Sequence, residues 1–201
     1  FQGLRDIILK GGSLLYSWSR ALGGEFLGMF AYYLSSPFSI LVALFPEDMI
    51  TEALFLIILL KVGCQGLSFG IYLQTAHPSK KINIIIFSTI YALTSYTVVQ
   101  SMNVMWMDAL ILFPLVLLGI ERLIDHHRFG LYCICLAATF ITNFYIGYMV
   151  GIFSAIYAIY YYFSNYAADN FKKMFSAAWR FALFSCIAVM IAAIIILPAY
   201  Y

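Results

Sequence analysis

Two carboxylates stand out in a chain that is otherwise apolar. Glu25 follows the Gly23-Gly24 pair in a polar stretch, and Asp108 opens a long apolar run. Asp108 closes the segment SMNVMWMD (101–108), which also carries Asn103 and Trp106, with Gln100 just before it. The segment TNFYIG (142–147) carries Asn143 and Tyr145. Amide and carboxylate groups bind hydroxyls, and ring faces cover sugar planes, so this set suits a sugar or lipid-phosphate ligand. Asp108 and Glu25 are the candidate catalytic groups, and Asn103, Trp106, Asn143 and Tyr145 the candidate substrate-binding ones. Each also has a plainer reading. Asp108 suits a helix N-cap, Trp106 an aromatic belt, Asn143 a turn or cap, and Glu25 a solvated loop.

The elements that must hold these residues read as helices. Residues 1–10 place Leu4, Ile7 and Ile8 on one helical face, suited to lying in a membrane interface. Residues 26–46 are apolar but broken by Pro37 and Pro46, which fits short re-entrant or interface-lying helices. Residues 51–76 form the first convincing span. Within it Lys61, Gln65, Ser68 and Tyr72 follow helical spacing, so one polar stripe must face protein rather than lipid. Lys61 reads as the structural partner of a buried carboxylate or carbonyl. Gly66 and Gly70 form a GxxxG pair that allows close helix approach.

Further spans are expected over 82–100, 102–124, 129–143, 145–163 and 181–199, with 164–180 a polar connection. The apolar stretch from Ala109 to Ile120 would cover only about 18 Å of a hydrocarbon layer about 30 Å thick. Its helix must therefore extend past Asp108, which drops below the headgroups and needs a polar cavity or partner. Residues 129–163 are long for one span and short for two, and Asn143, Tyr145 and Gly147 mark a break that reads as a tight hairpin. With that hairpin, loops 77–81, 121–130 and 164–180 share one side. They hold Lys80, Lys81, Arg122, Arg128, Lys172, Lys173 and Arg180, seven of the eleven basic residues, so that side is expected to be cytoplasmic. Residues 1–46, the 101–108 turn and the Asn143 turn then lie on the outer face.

Composition agrees with a bilayer setting. Hydrophobic residues make up 64% of the 201 and charged ones only 10%, against about a quarter charged in soluble domains. A soluble core could not hide this much apolar surface. The fold class is therefore all-α, a polytopic transmembrane bundle (51–201) preceded by a large outer loop with interface-lying helices (1–50). The net charge of +2, without basic patches interleaved with aromatics, excludes a nucleic-acid partner. Cys64, Cys133, Cys135 and Cys186 lie in apolar runs without metal or disulfide spacing and read as small buried side chains. Walker, GxGxxG and HExxH patterns are absent from the sequence.

Three blocks carry a family resemblance. The run LLYSWSRALGGEFLGMFAYYLSSPFSILVALFP (14–46), the stretch MNVMWMDALILFPLVLLGIERL (102–123) and the run ITNFYIGYMVGIF (141–153) together resemble the YfhO family of bacterial membrane proteins. That family is similar to the C-superfamily (GT-C) glycosyltransferases. The resemblance implies a multi-pass protein of the bacterial plasma membrane. It implies transfer of a sugar from a polyprenyl-phosphate carrier to a cell-envelope polymer such as lipoteichoic acid, on the outer face. It also implies a catalytic carboxylate near the end of a first span, expected upstream of Phe1, so that the chain reads as a fragment. Under it, Arg20 would contact the lipid-phosphate, and Asp108 or Glu25 would position the acceptor. A divalent ion between these two carboxylates is the one cofactor this suggests, although two oxygen ligands on separate loops make no metal motif. Two other readings stand beside the enzyme: a transporter or flippase for a lipid-linked or small polar substrate, favoured by Lys61 in mid-span and the broken hairpin, and a non-catalytic membrane scaffold.

Overall fold

The computed structural model describes residues 1–10, 16–17, 24–25, 28, 30–78, 80–166 and 170–199. Helix α1 (Gln2–Lys10) starts the chain, and a two-residue antiparallel pairing joins β1 (Tyr16–Ser17) to β2 (Gly24–Glu25). A π-turn (Phe30–Leu34), a 3-10 helix (Pro37–Leu44) and a short 3-10 turn (Glu47–Met49) lead into α2 (Ile50–Ala76). Then come α3 (Lys81–Ala92), α4 (Ser95–Val99), a 3-10 turn (Val104–Trp106), α5 (Met107–His126), α6 (Gly130–Thr142), α7 (Phe144–Tyr166) and α8 (Phe171–Ala199). The architecture is all-α and polytopic.

Among the described residues, five helical stretches are long and apolar enough to cross a membrane: Glu47–Ala76, Lys81–Val99, Val104–His126, Phe144–Tyr166 and Phe171–Leu197. Their outward faces are Leu, Ile, Phe and Val, as lipid requires; on α2 these include Phe55, Leu59, Leu67 and Ile71. Helix α6, with 13 residues, is about 20 Å long and falls short of the hydrocarbon thickness. It is nonetheless the packing centre, lying between α5, α7 and α8, with Tyr132, Leu136, Thr139 and Phe140 buried.

Side-chain contacts fix the helix directions. Lys61 meets Asp108 and Tyr72 meets Glu121, so α2 and α5 run parallel. Phe69 stacks on Tyr91, and Gly66 lies against Ala92, so α3 returns antiparallel to α2. Gly119 abuts Tyr132, and Gly147 abuts Phe140, so α5–α6 and α6–α7 are antiparallel hairpins. His77, Lys80, Arg128, Tyr166 and Asn170 therefore gather at one end, called here the Arg122 end. The 93–106 segment and Asn143 lie at the other, the Asn143 end.

Three details differ from the sequence expectation. The helix of 82–100 is interrupted at Leu93-Thr94, where Thr94 takes an extended ψ of 152° and the chain restarts as α4. The stretch 171–180 is not a polar loop but the first part of α8, and its Lys and Arg side chains are good helix formers. In α1, Leu4 and Ile7 pack against the chain's own Phe30 and Leu34, and Ile8 points outward. Arg5 fastens that helix to the Phe45 carbonyl at 2.8 Å and to Glu47 at 3.1 Å.

The tightest helix contact is at Gly119, where a Cβ would fall 2.6 Å from the backbone N and Cα of Tyr132. Backbone cannot yield as a flexible side chain can. Gly119→Ala is expected to destabilise the bundle by about 1–3 kcal/mol through overpacking. Gly63 has open space around its Cβ position, and Gly63→Ala should stabilise α2 by about 0.5–1 kcal/mol. Thermal unfolding in detergent should shift in opposite directions for the two variants.

Candidate functional site

Lys61 lies 11 residues into α2, about 16 Å from its start. Its polar stripe needs partners inside the bundle, because lipid provides none. The ammonium Nζ donates to Asp108 Oδ2 at 2.6 Å and to the Val104 carbonyl at 2.9 Å, and it sits 5.6 Å from the Phe38 ring centroid. Asp108 Oδ1 accepts from Ser36 Oγ at 2.9 Å. Lys61 is 1% exposed and Asp108 3%. The pair thus joins three stretches of chain: the 36–38 entry to the 3-10 helix, α2, and the first turn of α5.

The same mode of attachment recurs one helix away. Asn143 breaks the chain between α6 and α7 with extended backbone. Its Oδ1 accepts from the Ile146 N–H at 3.0 Å and so caps α7, while its Nδ2 donates to the Tyr32 carbonyl at 3.1 Å. Ser35 Oγ bonds the Ile141 carbonyl. Because α6 is short, its turn at Asn143 lies recessed, and residues 30–38 fill the recess above it. Between them remains a cavity of about 250 Å³ lined by Ser35, Pro37, Phe38, Asp108, Ile111, Leu112, Ala138, Ile141 and Thr142. Among the described residues Asp108 is the only ionisable side chain on that wall.

The candidate residues divide accordingly. Asp108 and Asn143 border this recess from neighbouring helices, and both are tied to residues 30–38. Asp108 does not act as an N-cap: that position in α5 is Trp106, which makes no capping side-chain bond. The Trp106 indole N–H is buried and has no hydrogen-bond partner among the described residues. Asn103 donates to Gln100 within its own turn at 2.6 Å. Tyr145 is 48% exposed. The backbone of Glu25 pairs with Tyr16, its side chain lies outside the described residues, and so does Arg20. Among the described residues no three His, Cys, Asp or Glu side chains gather in reach of one metal ion. The cavity is mainly apolar, and Lys61 and Ser36 supply the partners that Asp108 needs at this depth.

A second polar cluster, toward the Arg122 end, was not singled out from sequence. Glu121 is buried and accepts from Tyr72 at 3.0 Å and Tyr157 at 2.6 Å. One turn on, Asp125 accepts from Tyr161 at 2.7 Å and Tyr166 at 2.8 Å. The matching four-residue spacings, Glu121/Asp125 and Tyr157/Tyr161, are the pattern that could have revealed it, since parallel helices with equal spacing meet rung by rung.

The family model described as bacterial membrane protein YfhO matches residues 1–201. No curated protein and no solved structure matches the chain.

Removing one member of a buried ion pair leaves the other charge uncompensated, at a cost of about 3–5 kcal/mol, whereas replacing both by apolar residues is often neutral. Asp108→Asn alone should therefore lower the unfolding temperature in detergent sharply. The double variant Lys61→Met, Asp108→Leu should recover most of the loss.

Proposed function

The chain belongs to the YfhO family of bacterial membrane proteins, and from that premise we propose that it works in a GT-C-type membrane glycosyltransferase. The reaction passes a sugar from a polyprenyl-phosphate carrier to a cell-envelope polymer of the lipoteichoic-acid kind, at the outer face of the plasma membrane. The observation that carries this reading is the recess under residues 30–44, where a membrane-buried carboxylate borders an apolar cavity. A carrier lipid needs apolar walls next to a polar end, and Pro37, Phe38, Ile111, Leu112 and Ile141 supply them.

Sugar transfer to a hydroxyl needs a base for the acceptor and compensation of charge on the leaving phosphate. Both Asp108 oxygens already hold a partner, which suits Asp108 to positioning residues 30–38 and the acceptor over the cavity. Glu25 remains as the carboxylate of this reading for the proton, and Arg20 as the cation for the phosphate. Asn103, Trp106 and Tyr145 cluster in sequence around the two recessed turns and would present amide and ring faces to the sugar. A second reading, a transporter or flippase, is favoured by the ion pair deep in the bundle and by the half-length α6 ending at Asn143.

Reconstitution of the full-length protein with a polyprenyl-phosphate sugar donor separates the two. Carrier phosphate released with sugar on the acceptor supports the transferase; intact carrier crossing the bilayer supports the flippase. The double variant Lys61→Met, Asp108→Leu should fold yet transfer at least about a hundredfold more slowly, as expected when positioning groups are lost. Parental transfer rates in that variant would remove Asp108 from the site.

A further inference from the structure

Toward the Arg122 end, the seam between α2, α5 and α7 holds an acid whose setting differs from that of Asp108. Glu121 is 7% exposed and lies within the span Val104–His126. Asp108 has the Lys61 ammonium at 2.6 Å. Among the described residues no cation pairs with Glu121. Its donors are two phenols, Tyr72 at 3.0 Å and Tyr157 at 2.6 Å. The difference matters chemically. An ammonium only donates, so it holds its partner as a carboxylate, whereas a phenol both donates and accepts. Tyr72 and Tyr157 can donate to a carboxylate, and either can accept the O–H of the neutral acid. The site therefore accommodates both protonation states without moving a helix. A charge at this depth with no countercharge is costly, which makes the neutral form accessible; the short Tyr157 contact is of the kind that supports the charged one.

The acid is also connected to the surface. The Tyr72 hydroxyl stands 3.4 Å from His77 Nε2 and 3.4 Å from the Tyr157 hydroxyl. His77 is the exposed C-cap residue of α2, and an imidazole exchanges protons with water near neutral pH. We propose that Glu121 is a proton-binding site, filled and emptied at the Arg122 end through Tyr72 and His77. In the inward step the His77 imidazolium gives its Nε2 proton to the Tyr72 oxygen, and Tyr72 passes its own hydroxyl proton to Glu121 Oε1. His77 is left neutral, Tyr72 is again a phenol and Glu121 is a neutral acid; His77 then takes a proton from water. Release runs in reverse. The titratable groups around Glu121 are Tyr72 and His77 on the α2 side, Tyr157 and Tyr161 of α7, and Asp125 one turn along α5. Among the described residues, α3, α6 and α8 bring no ionisable group into hydrogen-bond contact with Glu121; His127 and the α8 residues Lys172, Lys173 and Arg180 line a cavity with Asp125 instead. A proton taken into this seam changes the charge that α2, α5 and α7 share, which is what a proton-driven step in a membrane protein requires. The inference does not depend on the transferase reading, because the site lies toward the opposite end of the bundle from Asp108.

The test uses the full-length protein in detergent and dicyclohexylcarbodiimide, an apolar reagent that modifies neutral carboxylic acids, with the adduct located by peptide mass spectrometry. Infrared difference spectra read the carboxylic-acid carbonyl band directly. As pH falls from about 8 to 5, labelling of Glu121 should rise about tenfold or more and the band should appear. Both should vanish in Glu121→Gln. Asp108, paired with Lys61, should stay unlabelled throughout. Tyr157→Phe removes a donor to the carboxylate and should raise labelling near neutral pH about tenfold. His77→Gln should leave the final labelling at each pH unchanged, yet slow the growth of the infrared band after a light-triggered proton release by about tenfold or more. Glu121 without label or band at any pH, or labelled equally at every pH, overturns the proton site. A band that grows at the parental rate in His77→Gln overturns the route through Tyr72. If Tyr157→Phe does not fold, the parent and Glu121→Gln spectra decide the matter alone.

Discussion

The buried contact between Lys61 and Asp108 is the constraint around which the Asn143 end is built. A lone ammonium or carboxylate at that depth is costly, and a short carboxylate cannot reach the interface as a long side chain can. Both are accommodated because they meet at 2.6 Å and because their remaining capacity goes to Val104, Ser36 and the face of Phe38. The consequence reaches beyond the pair. Residues 36–38 cannot leave without exposing it, so the start of the 3-10 helix Pro37–Leu44 becomes a fixed lid on the bundle.

The short α6 creates the space that this lid fills. Its 13 residues are too few to cover the hydrocarbon thickness, and the freed turn is satisfied locally: Asn143 caps the next helix and clasps the Tyr32 carbonyl. Close approach of α5 and α7 at Gly119 and Gly147 lets such a short helix remain buried. Depth, lid and cavity are thus one arrangement.

The two ends of the bundle manage charge differently. At the Asn143 end an acid meets a cation in the interior. Toward the Arg122 end the acids Glu121 and Asp125 are met by tyrosine hydroxyls from α2 and α7, and Asp125 shares a cavity wall with Lys172, Lys173 and Arg180 of α8. Tyrosine suits that role, since its ring packs with apolar neighbours while its hydroxyl serves a carboxylate. The high tyrosine content of the chain therefore does more than mark the lipid–water boundary.

Several of these features were legible in the sequence because they are local. Hydropathy placed the chain in a bilayer, the spacing of Lys61, Gln65, Ser68 and Tyr72 turned one face of α2 inward, and the short apolar run after Asp108 required that acid to have a partner. The break at Asn143 followed from a segment too long for one span. Each rests on helix periodicity or on length against membrane thickness, which neighbouring residues alone determine. Tertiary structure decided which groups meet. Lys61 could have served any buried acid, and packing gave it Asp108; Ser36 and Tyr32, unremarkable in sequence, became the residues that hold the lid. Glu121 passed for a loop-end charge until Tyr72 and Tyr157 enclosed it. These pairings join residues 36 to 111 positions apart, and over such separations partner choice depends on how whole helices pack, which no local pattern encodes.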